Sequence, residues 1–282
     1  MLKEYKLLPY ADYEKINHIL PVLAKLSNNG KNLWYYAVNH TFDPKNSLFP
    51  KIKKVIKDYK PDLIVLEGGT VINSGHSRRK EYFEKTLNKT EEQNIISGGE
   101  FSFTLQQALI NQIGVFCPEP EFIEIINFQT KKFESEDIFL NEIIKIAVEF
   151  YSMNLDATKC SIIDYLNEEI IYQKEKLENL REWKDFNFDW SNFLKLFQER
   201  LKLDFLSTPS QIILELNDPI PWSTKQHKWT VNNDVSQSEC NFRDNYILNQ
   251  IENKLKKYSQ ILVVYGGSHY YAQKKALKKL LV

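Results

Sequence analysis

Three short apolar runs constrain the fold of this chain most strongly. Leu33–Val38 and Ile261–Tyr265 are rich in apolar and aromatic residues, and Leu63–Leu66 contains only Leu, Ile and Val. Runs of this kind are typical of strands buried on both faces, as in parallel sheets. Between Leu33–Val38 and Leu63–Leu66, the segment Lys51–Tyr59 has apolar residues at helical spacing and is followed by Pro61. A strand–helix–strand unit is therefore indicated. We therefore predict an α/β fold with a mostly parallel sheet flanked by helices.

The middle of the chain has a different pattern. Its charged, amphipathic segments carry apolar residues at intervals of three and four, without a strand between them, and no Gly/Pro/Ser linker flanks the region. This indicates a helical insertion at about 130–215 in a single α/β domain, 1–282, whose sheet elements come from 32–121 and 240–282. The predicted helices are Ile138–Tyr151, Cys160–Leu180 and Trp190–Leu203.

A long segment without periodicity follows the insertion. Asn217–Gln237 is rich in Asn and Pro and contains Trp222 and Trp229. Loops of this length inside compact chains are usually functional or disordered, and disordered segments seldom carry aromatic residues. We therefore predict a lid-like loop at about 217–237, followed by a helix from about Ser238 to Tyr258.

Composition excludes several classes of function. Lys+Arg and Asp+Glu both number 37, so no net positive charge favours nucleic acid as a partner. No apolar run approaches the roughly 18 residues of a membrane span, and the first residues lack the apolar core of a signal peptide. The 3 cysteines are odd in number and form no CxxC motif, which fits a reducing compartment. The expected location is cytoplasmic, with a small-molecule or peptide substrate and a homo-oligomer left open.

Ionisable residues stand at the ends of the three apolar runs. His40 follows the first run, Glu67 ends the second, and His269 follows the third after Gly266 and Gly267. In an open α/β sheet, ligands bind beyond the carboxyl ends of the parallel strands, so these side chains are expected to form one site. An imidazole with a pKa near 6.5 can exchange a proton or, when neutral, bind a metal.

Four further residues are candidates for the same site. Glu100 begins a helix, where the helix dipole favours an anion in any case. Arg243 is expected in the first turn of its helix, where the dipole disfavours a cation, so either a ligand or a carboxylate such as Glu67 should pair with it. Glu119 follows Gly114–Cys117, a further predicted strand, and His76 lies in the loop after Glu67; both are secondary candidates that a solvated surface explains equally well.

In order along the chain, these motifs resemble a known superfamily. Ala37-Val-Asn-His40, Val65-Leu-Glu67, Phe242-Arg243-Asp244 and Gly266-Gly-Ser-His269 are similar to the paired GxxH-type motifs of erythromycin esterases, TraB and TIKI proteins, and ChaN-like haem-binding lipoproteins. The resemblance covers about residues 32–121 and 240–282. Ala37 stands where the first motif has glycine, and the helical middle has no counterpart.

The resemblance implies a hydrolytic site in which His40 and His269 act with Glu67 and Glu100. TIKI proteins are metal-dependent peptidases, erythromycin esterases use a histidine-activated water, and ChaN-like members bind haem, so the reaction and cofactor stay open. A divalent metal held by His40, His269 and Glu67 is one option, and haem with a histidine or tyrosine ligand is another.

We therefore predict a hydrolase of an ester or amide bond. In it, His40 or a bound metal activates water, Glu67 stabilises the base, and Arg243 holds a substrate carboxylate or the oxyanion. The alternatives are a haem- or small-molecule-binding protein and a catalytically inactive relative.

Overall fold

One five-stranded sheet organises the part of the chain that carries the ionisable residues. In the computed structural model, which describes residues 2–68, 70–73, 76–152 and 161–280, the spatial order of the strands is β1-β2-β5-β3-β4. β2, β5, β3 and β4 run parallel, and β1 is an antiparallel edge strand. The strands are β1 Val22–Asn28, β2 Lys31–Val38, β3 Leu63–Leu66, β4 Gly114–Phe116 and β5 Gln260–Gly266.

The helices confirm the predicted α/β class. They are α1 Leu48–Tyr59, α2 His76–Asn88, α3 Glu91–Ile110, α4 Phe122–Gln129, α5 Ser135–Ser152, α6 Ile162–Leu177, α7 Trp190–Leu201, α8 Ser210–Asn217, α9 Val231–Leu255 and α10 Gly267–Leu277. Among the described residues, no helix combines the length and apolar content needed to cross a lipid bilayer.

The three apolar runs that predicted the sheet form its central strands. β3 is buried along its whole length, and β2 and β5 are buried over most of theirs, as expected for strands covered on both faces. β1 was not predicted. Its side chains alternate between half-buried and exposed, because it pairs with only one neighbour and lies at the edge of the sheet.

The chain divides into two compact units, Met1–Glu121 with Arg243–Val282, and Phe122–Phe242. We refer to them as the sheet unit and the helical unit. In the sheet unit, Trp34, Tyr36 and Val38 on one face of β2 belong to a core with α1 and α3. On the other face, the ring of Tyr35 packs against those of Tyr265 and Tyr270.

The helical unit has an apolar core of its own. Its largest fully buried side chains are aromatic, and they come from α5, α7 and the turn before α7: Phe139, Phe193, Phe197 and Trp183. The unit extends beyond the insertion predicted at about 130–215, since it includes α4, the segment after α8 and the first part of α9.

Helix α9 begins earlier than predicted. It starts at Val231, so the predicted lid-like loop at about 217–237 is shorter, and its last residues are helical. Asn233 explains the early start, because its side chain accepts hydrogen bonds from the backbone and hydroxyl of Thr230, both at 3.0 Å, and donates to the carbonyl oxygen of Glu215 at 2.8 Å. The Glu215 carboxylate accepts the backbone N–H groups of Gln226 and His227 at 2.8 Å.

Candidate functional site

The parallel strands bring His40, Glu67 and His269 to one edge of the sheet. β5 lies between β2 and β3, so the three carboxyl ends are neighbours. His40 lies just after β2, Glu67 directly after β3, and His269 in the first turn of α10, which continues from β5. Glu67 lies between the two imidazoles, with Oε2 3.8 Å from Nε2 of His40 and Oε1 3.4 Å from Nε2 of His269.

Glu100 orients His40. Its Oε1 is hydrogen-bonded to Nδ1 of His40, and its Oε2 accepts the backbone N–H of Thr41 at 3.3 Å. The hydrogen bond between Glu100 and Nδ1 raises the pKa of His40. Burial opposes this rise, and the charge of Glu67 adds to it. The side chain of His40 is 57% exposed, whereas that of Glu100 is 11% exposed, so the imidazole faces solvent and its partner does not.

A break in α3 places Glu100 against the loop after β2. Gly98 and Gly99 have non-helical backbone angles, and Gly99 has a φ of +54°. A methyl group in place of the Gly99 hydrogen would lie 2.9 Å from the carbonyl oxygen of Thr41. Glycine therefore permits both the unusual φ and the close approach of the two backbones.

His269 is held between two carboxylates. Its Nδ1 is 2.7 Å from Oδ1 of Asp244, its Nε2 faces Glu67, and the residue is 8% exposed. Burial alone would lower the pKa of His269, but Asp244 and Glu67 outweigh this effect and raise it to about 10. Gln273 donates to the same Asp244 oxygen at 2.6 Å. His269 is therefore a charged hydrogen-bond donor at neutral pH, and it differs in this respect from His40.

Glu67 is the shared partner of both histidines. Burial would raise the pKa of Glu67, but His269, His40 and the backbone N–H of Gly266 together lower it to about 2. A methyl group at Gly266 would lie 2.8 Å from Oε2 of Glu67 and 3.0 Å from Nε2 of His40. The glycine at the end of β5 therefore leaves the space that these two side chains occupy.

Arg243 pairs with Glu119 rather than with Glu67. Its Nε donates to Oε2 of Glu119 at 3.0 Å, and the other carboxylate oxygen accepts the hydroxyl of Tyr265 at 2.6 Å. The expectation that Arg243 lies in the first turn of its helix was wrong, because α9 begins at Val231 and Arg243 lies near its middle. The rings of Tyr265 and His269 pack edge to face, with their centroids 5.4 Å apart. The ion pair of Arg243 and Glu119 therefore lies beside the site formed by His40, Glu67 and His269.

Sequence reasoning missed Asp244 and Tyr265. Asp244 is 2% exposed and precedes Ile247 and Ile251 by three and seven residues, so an acid on the apolar face of the helix was a signal present in the sequence. Tyr265 gave no such signal, since a tyrosine in an apolar strand is ordinary. The side chain of His76, a secondary candidate, lies outside what the structure describes.

Both ring nitrogens of His269 are engaged by carboxylates. A histidine binds a metal through a neutral imidazole nitrogen, whereas the carboxylates that face each ring nitrogen of His269 favour the protonated ring. Within the described residues, no group of three or more His, Cys, Asp or Glu side chains has an arrangement that could hold a metal ion. We therefore derive no step through a metal held by His40, His269 and Glu67.

Comparisons with known proteins place this chain in no established group. No protein-family model matches it, and no curated protein matches it with significance. The site combines a solvent-facing imidazole oriented by one carboxylate with a second carboxylate that lies against the buried imidazole of His269.

Proposed function

We propose that this chain is a hydrolase of ester or amide bonds, with His40 as its general base. One observation carries the proposal: His40 is bonded to Glu100 through Nδ1 while its Nε2 lies on the side of Glu67 in a half-exposed ring. A base that is oriented by a carboxylate and open to a substrate is the arrangement that general-base catalysis requires.

The protonation state of His40 follows from its partners. The Glu100 carboxylate accepts a hydrogen bond from Nδ1 of His40. Neutral His40 therefore carries its proton on Nδ1 and presents the lone pair of Nε2. Because the pKa of His40 is raised, this basic form increases as the pH rises above 6.5. The proposed enzyme should accordingly be more active in mildly alkaline than in acidic solution.

In the proposed reaction, Nε2 of His40 takes a proton from water as the water oxygen attacks the substrate carbonyl carbon. The C=O electron pair moves to the oxygen, giving a tetrahedral oxyanion. When the oxyanion collapses, the C–O or C–N bond breaks and His40 returns the proton to the leaving oxygen or nitrogen. The products are a carboxylic acid and an alcohol or amine.

Glu67 supports this cycle electrostatically. Its carboxylate lies 3.8 Å from Nε2 of His40, so it stabilises the imidazolium that forms during proton transfer. His269 holds Glu67 ionised and in place. Arg243 is the candidate for holding a substrate carboxylate or the oxyanion, and Glu119 offsets part of its charge. The resemblance to erythromycin esterases and TIKI proteins supports the same class of reaction.

The test is hydrolysis of a panel of p-nitrophenyl esters and aminoacyl p-nitroanilides by the wild type and by His40→Gln. We expect His40→Gln to lower kcat/KM by about 10²- to 10⁴-fold, the usual contribution of a general base. His227→Gln is a matched control, because His227 is half-buried in the helical unit and, among the described residues, its ring nitrogen Nδ1 contacts the neighbouring Lys228 carbonyl at 2.8 Å.

Unchanged hydrolysis by His40→Gln, with circular dichroism showing an intact fold, would contradict the assignment of His40. Absence of hydrolysis in the wild type across both substrate classes would contradict the proposed function itself. Equal losses in His40→Gln and His227→Gln would indicate a general effect on folding rather than on catalysis.

A further inference from the structure

Phe42 is an unusual residue for its position. All 17 phenylalanines lie in the described residues, and Phe42 alone among them has an exposed side chain, with 61% of its surface open to solvent. Single exposed apolar residues are common and usually need no explanation. Phe42 differs because it lies two positions after His40, next to the proposed base.

The ring of Phe42 is held beside the pair formed by His40 and Glu100. A methyl group at Gly99 would lie 3.5 Å and 3.6 Å from Cε1 and Cδ1 of the ring, so the ring packs on the backbone that immediately precedes Glu100. The backbone of Thr41 is hydrogen-bonded to the Glu100 carboxylate at 3.3 Å. The ring is therefore supported on one side by the break in α3 and open on the other.

This arrangement has a chemical consequence for the substrate. The imidazole of His40 and the carboxylates of Glu67 and Glu100 can activate water and stabilise charge, and apolar contacts to a substrate must come from other side chains. Phe42, two residues after His40, supplies an exposed apolar surface packed on the backbone that precedes Glu100. Burying an exposed aromatic ring against an apolar group is favourable, because it removes both surfaces from water.

We infer that Phe42 is a specificity-determining residue that binds an apolar group flanking the scissile carbonyl. The substrate class is then esters or amides with a medium-length alkyl or aryl group beside the scissile carbonyl, in preference to acetyl compounds. This inference rests on the proposed function and extends it by naming the substrate class.

The experiment compares p-nitrophenyl hexanoate with p-nitrophenyl acetate, and 1-naphthyl acetate with phenyl acetate, so that both sides of the scissile bond are sampled. For wild type, kcat/KM should be at least about tenfold higher for the more apolar member of one pair, the lower end of what hydrophobic contacts supply. Phe42→Ala should lose most of that preference through a higher KM, and Phe42→Leu should keep part of it.

Ile110→Ala is the matched control. Ile110 is 57% exposed and ends α3, many residues from Glu100, so its truncation removes a similar apolar surface away from the site. It should leave the preference unchanged. An equal preference in wild type and Phe42→Ala, with both proteins folded, overturns the inference while leaving the proposed function intact.

A binding measurement separates the two ideas if wild type hydrolyses no ester or amide. A trifluoromethyl ketone with a hexyl chain resembles the carbonyl substrate and reports binding by ¹⁹F line broadening. Broadening by wild type and its loss in Phe42→Ala would support the apolar site even without hydrolysis. No broadening, or equal broadening by both proteins, would overturn it.

Discussion

The sheet unit and the helical unit both bury charged groups, but they do so in different ways. In the helical unit, the Lys145 ammonium lies 2.8 Å from Glu142 and 3.1 Å from Glu239, using α5 and α9 only. In the sheet unit, His40, Glu67, Glu100, Asp244 and His269 come from separate segments of the chain.

The two clusters differ in whether they contain a group suited to proton transfer. Burial lowers the pKa of Lys145, but Glu142 and Glu239 outweigh it and raise the pKa, so the lysine stays charged. Burial raises the pKa of Glu142 despite Lys145. Among the described residues, this cluster consists of an ammonium group and two carboxylates, without an imidazole. The sheet unit instead combines fixed buried charges with His40, whose ring is open to solvent.

The largest expected effect on stability is in the helical unit. Lys145→Met leaves Glu142 and Glu239 buried without their cation, and it should lower the free energy of unfolding by about 3–5 kcal/mol. Urea unfolding measures this. Lys195→Met is the control, since Lys195 is 65% exposed and lies 4.0 Å from Glu199; it should cost less than about 0.5 kcal/mol. A loss below about 1 kcal/mol in Lys145→Met would show that the cluster contributes little.

The second prediction concerns Glu100 and the pH dependence of hydrolysis. Glu100→Gln should lower kcat/KM by about a hundredfold, near the low end for acid–base groups. Because Glu100 is the main cause of the raised pKa of His40, the rise of activity with pH should move down toward 6.5 in the variant. Rate profiles between acidic and alkaline pH check this. A profile that keeps its midpoint after the substitution would argue against His40 as the titrating base.

The third prediction is a pH window for stability. His269 has a folded pKa of about 10, above its usual 6.5, so its contribution is complete below 6.5 and is lost as pH rises through about 10. Glu67 has a folded pKa of about 2, below its usual 4.5, so its contribution is complete above 4.5 and is lost as pH falls through about 2. Both contributions to stability are therefore complete between pH 4.5 and pH 6.5.

Asp244→Asn tests this window. Without the Asp244 charge, the pKa of His269 should fall, and the loss of stability on the alkaline side should begin at a lower pH. Each tenfold change in the acid constant corresponds to about 1.4 kcal/mol. Proton NMR of the imidazole follows the titration, and Asp58→Asn is the control because Asp58 pairs with Lys54 on the surface of α1. An unchanged His269 titration would contradict the role of Asp244.

The smallest expected effects compare helix caps in the two units. Thr90 caps α3 in the sheet unit by accepting the Gln93 N–H at 3.2 Å, and Ser161 caps α6 in the helical unit by accepting the Asp164 N–H at 3.1 Å. Thr90→Ala and Ser161→Ala should each cost about 1 kcal/mol. Thermal unfolding measures both. A cost confined to one of them would show that capping depends on the unit rather than on the local hydrogen bond.

Part of the fold could be predicted because burial leaves a local pattern. Leu63–Leu66 is apolar throughout and forms β3 with the predicted bounds. β1 escaped prediction because an edge strand buries too little apolar surface to stand out. The start of α9 was misplaced because its cap uses Asn233 together with Glu215, which lies in a different helix.

The meeting of His40, Glu67 and His269 was predictable from strand ends alone, since parallel strands share an edge. The pairing of Arg243 with Glu119 was not. It depends on which turn of α9 faces the sheet, and this follows from tertiary packing rather than from either residue. Residue type and order therefore located the site, but they did not identify its hydrogen-bond partners.

Gly266 affects how far the arrangement of Glu67 and His40 can be inferred from sequence alone. A methyl group at this position would lie 2.8 Å from Oε2 of Glu67 and 3.0 Å from Nε2 of His40, so both side chains would have to shift. A chain that keeps every acid and imidazole but carries alanine at this point would be expected to displace them. Its sequence would contain the same acids and histidines, but Glu67 and His40 would no longer lie in the positions that they occupy here.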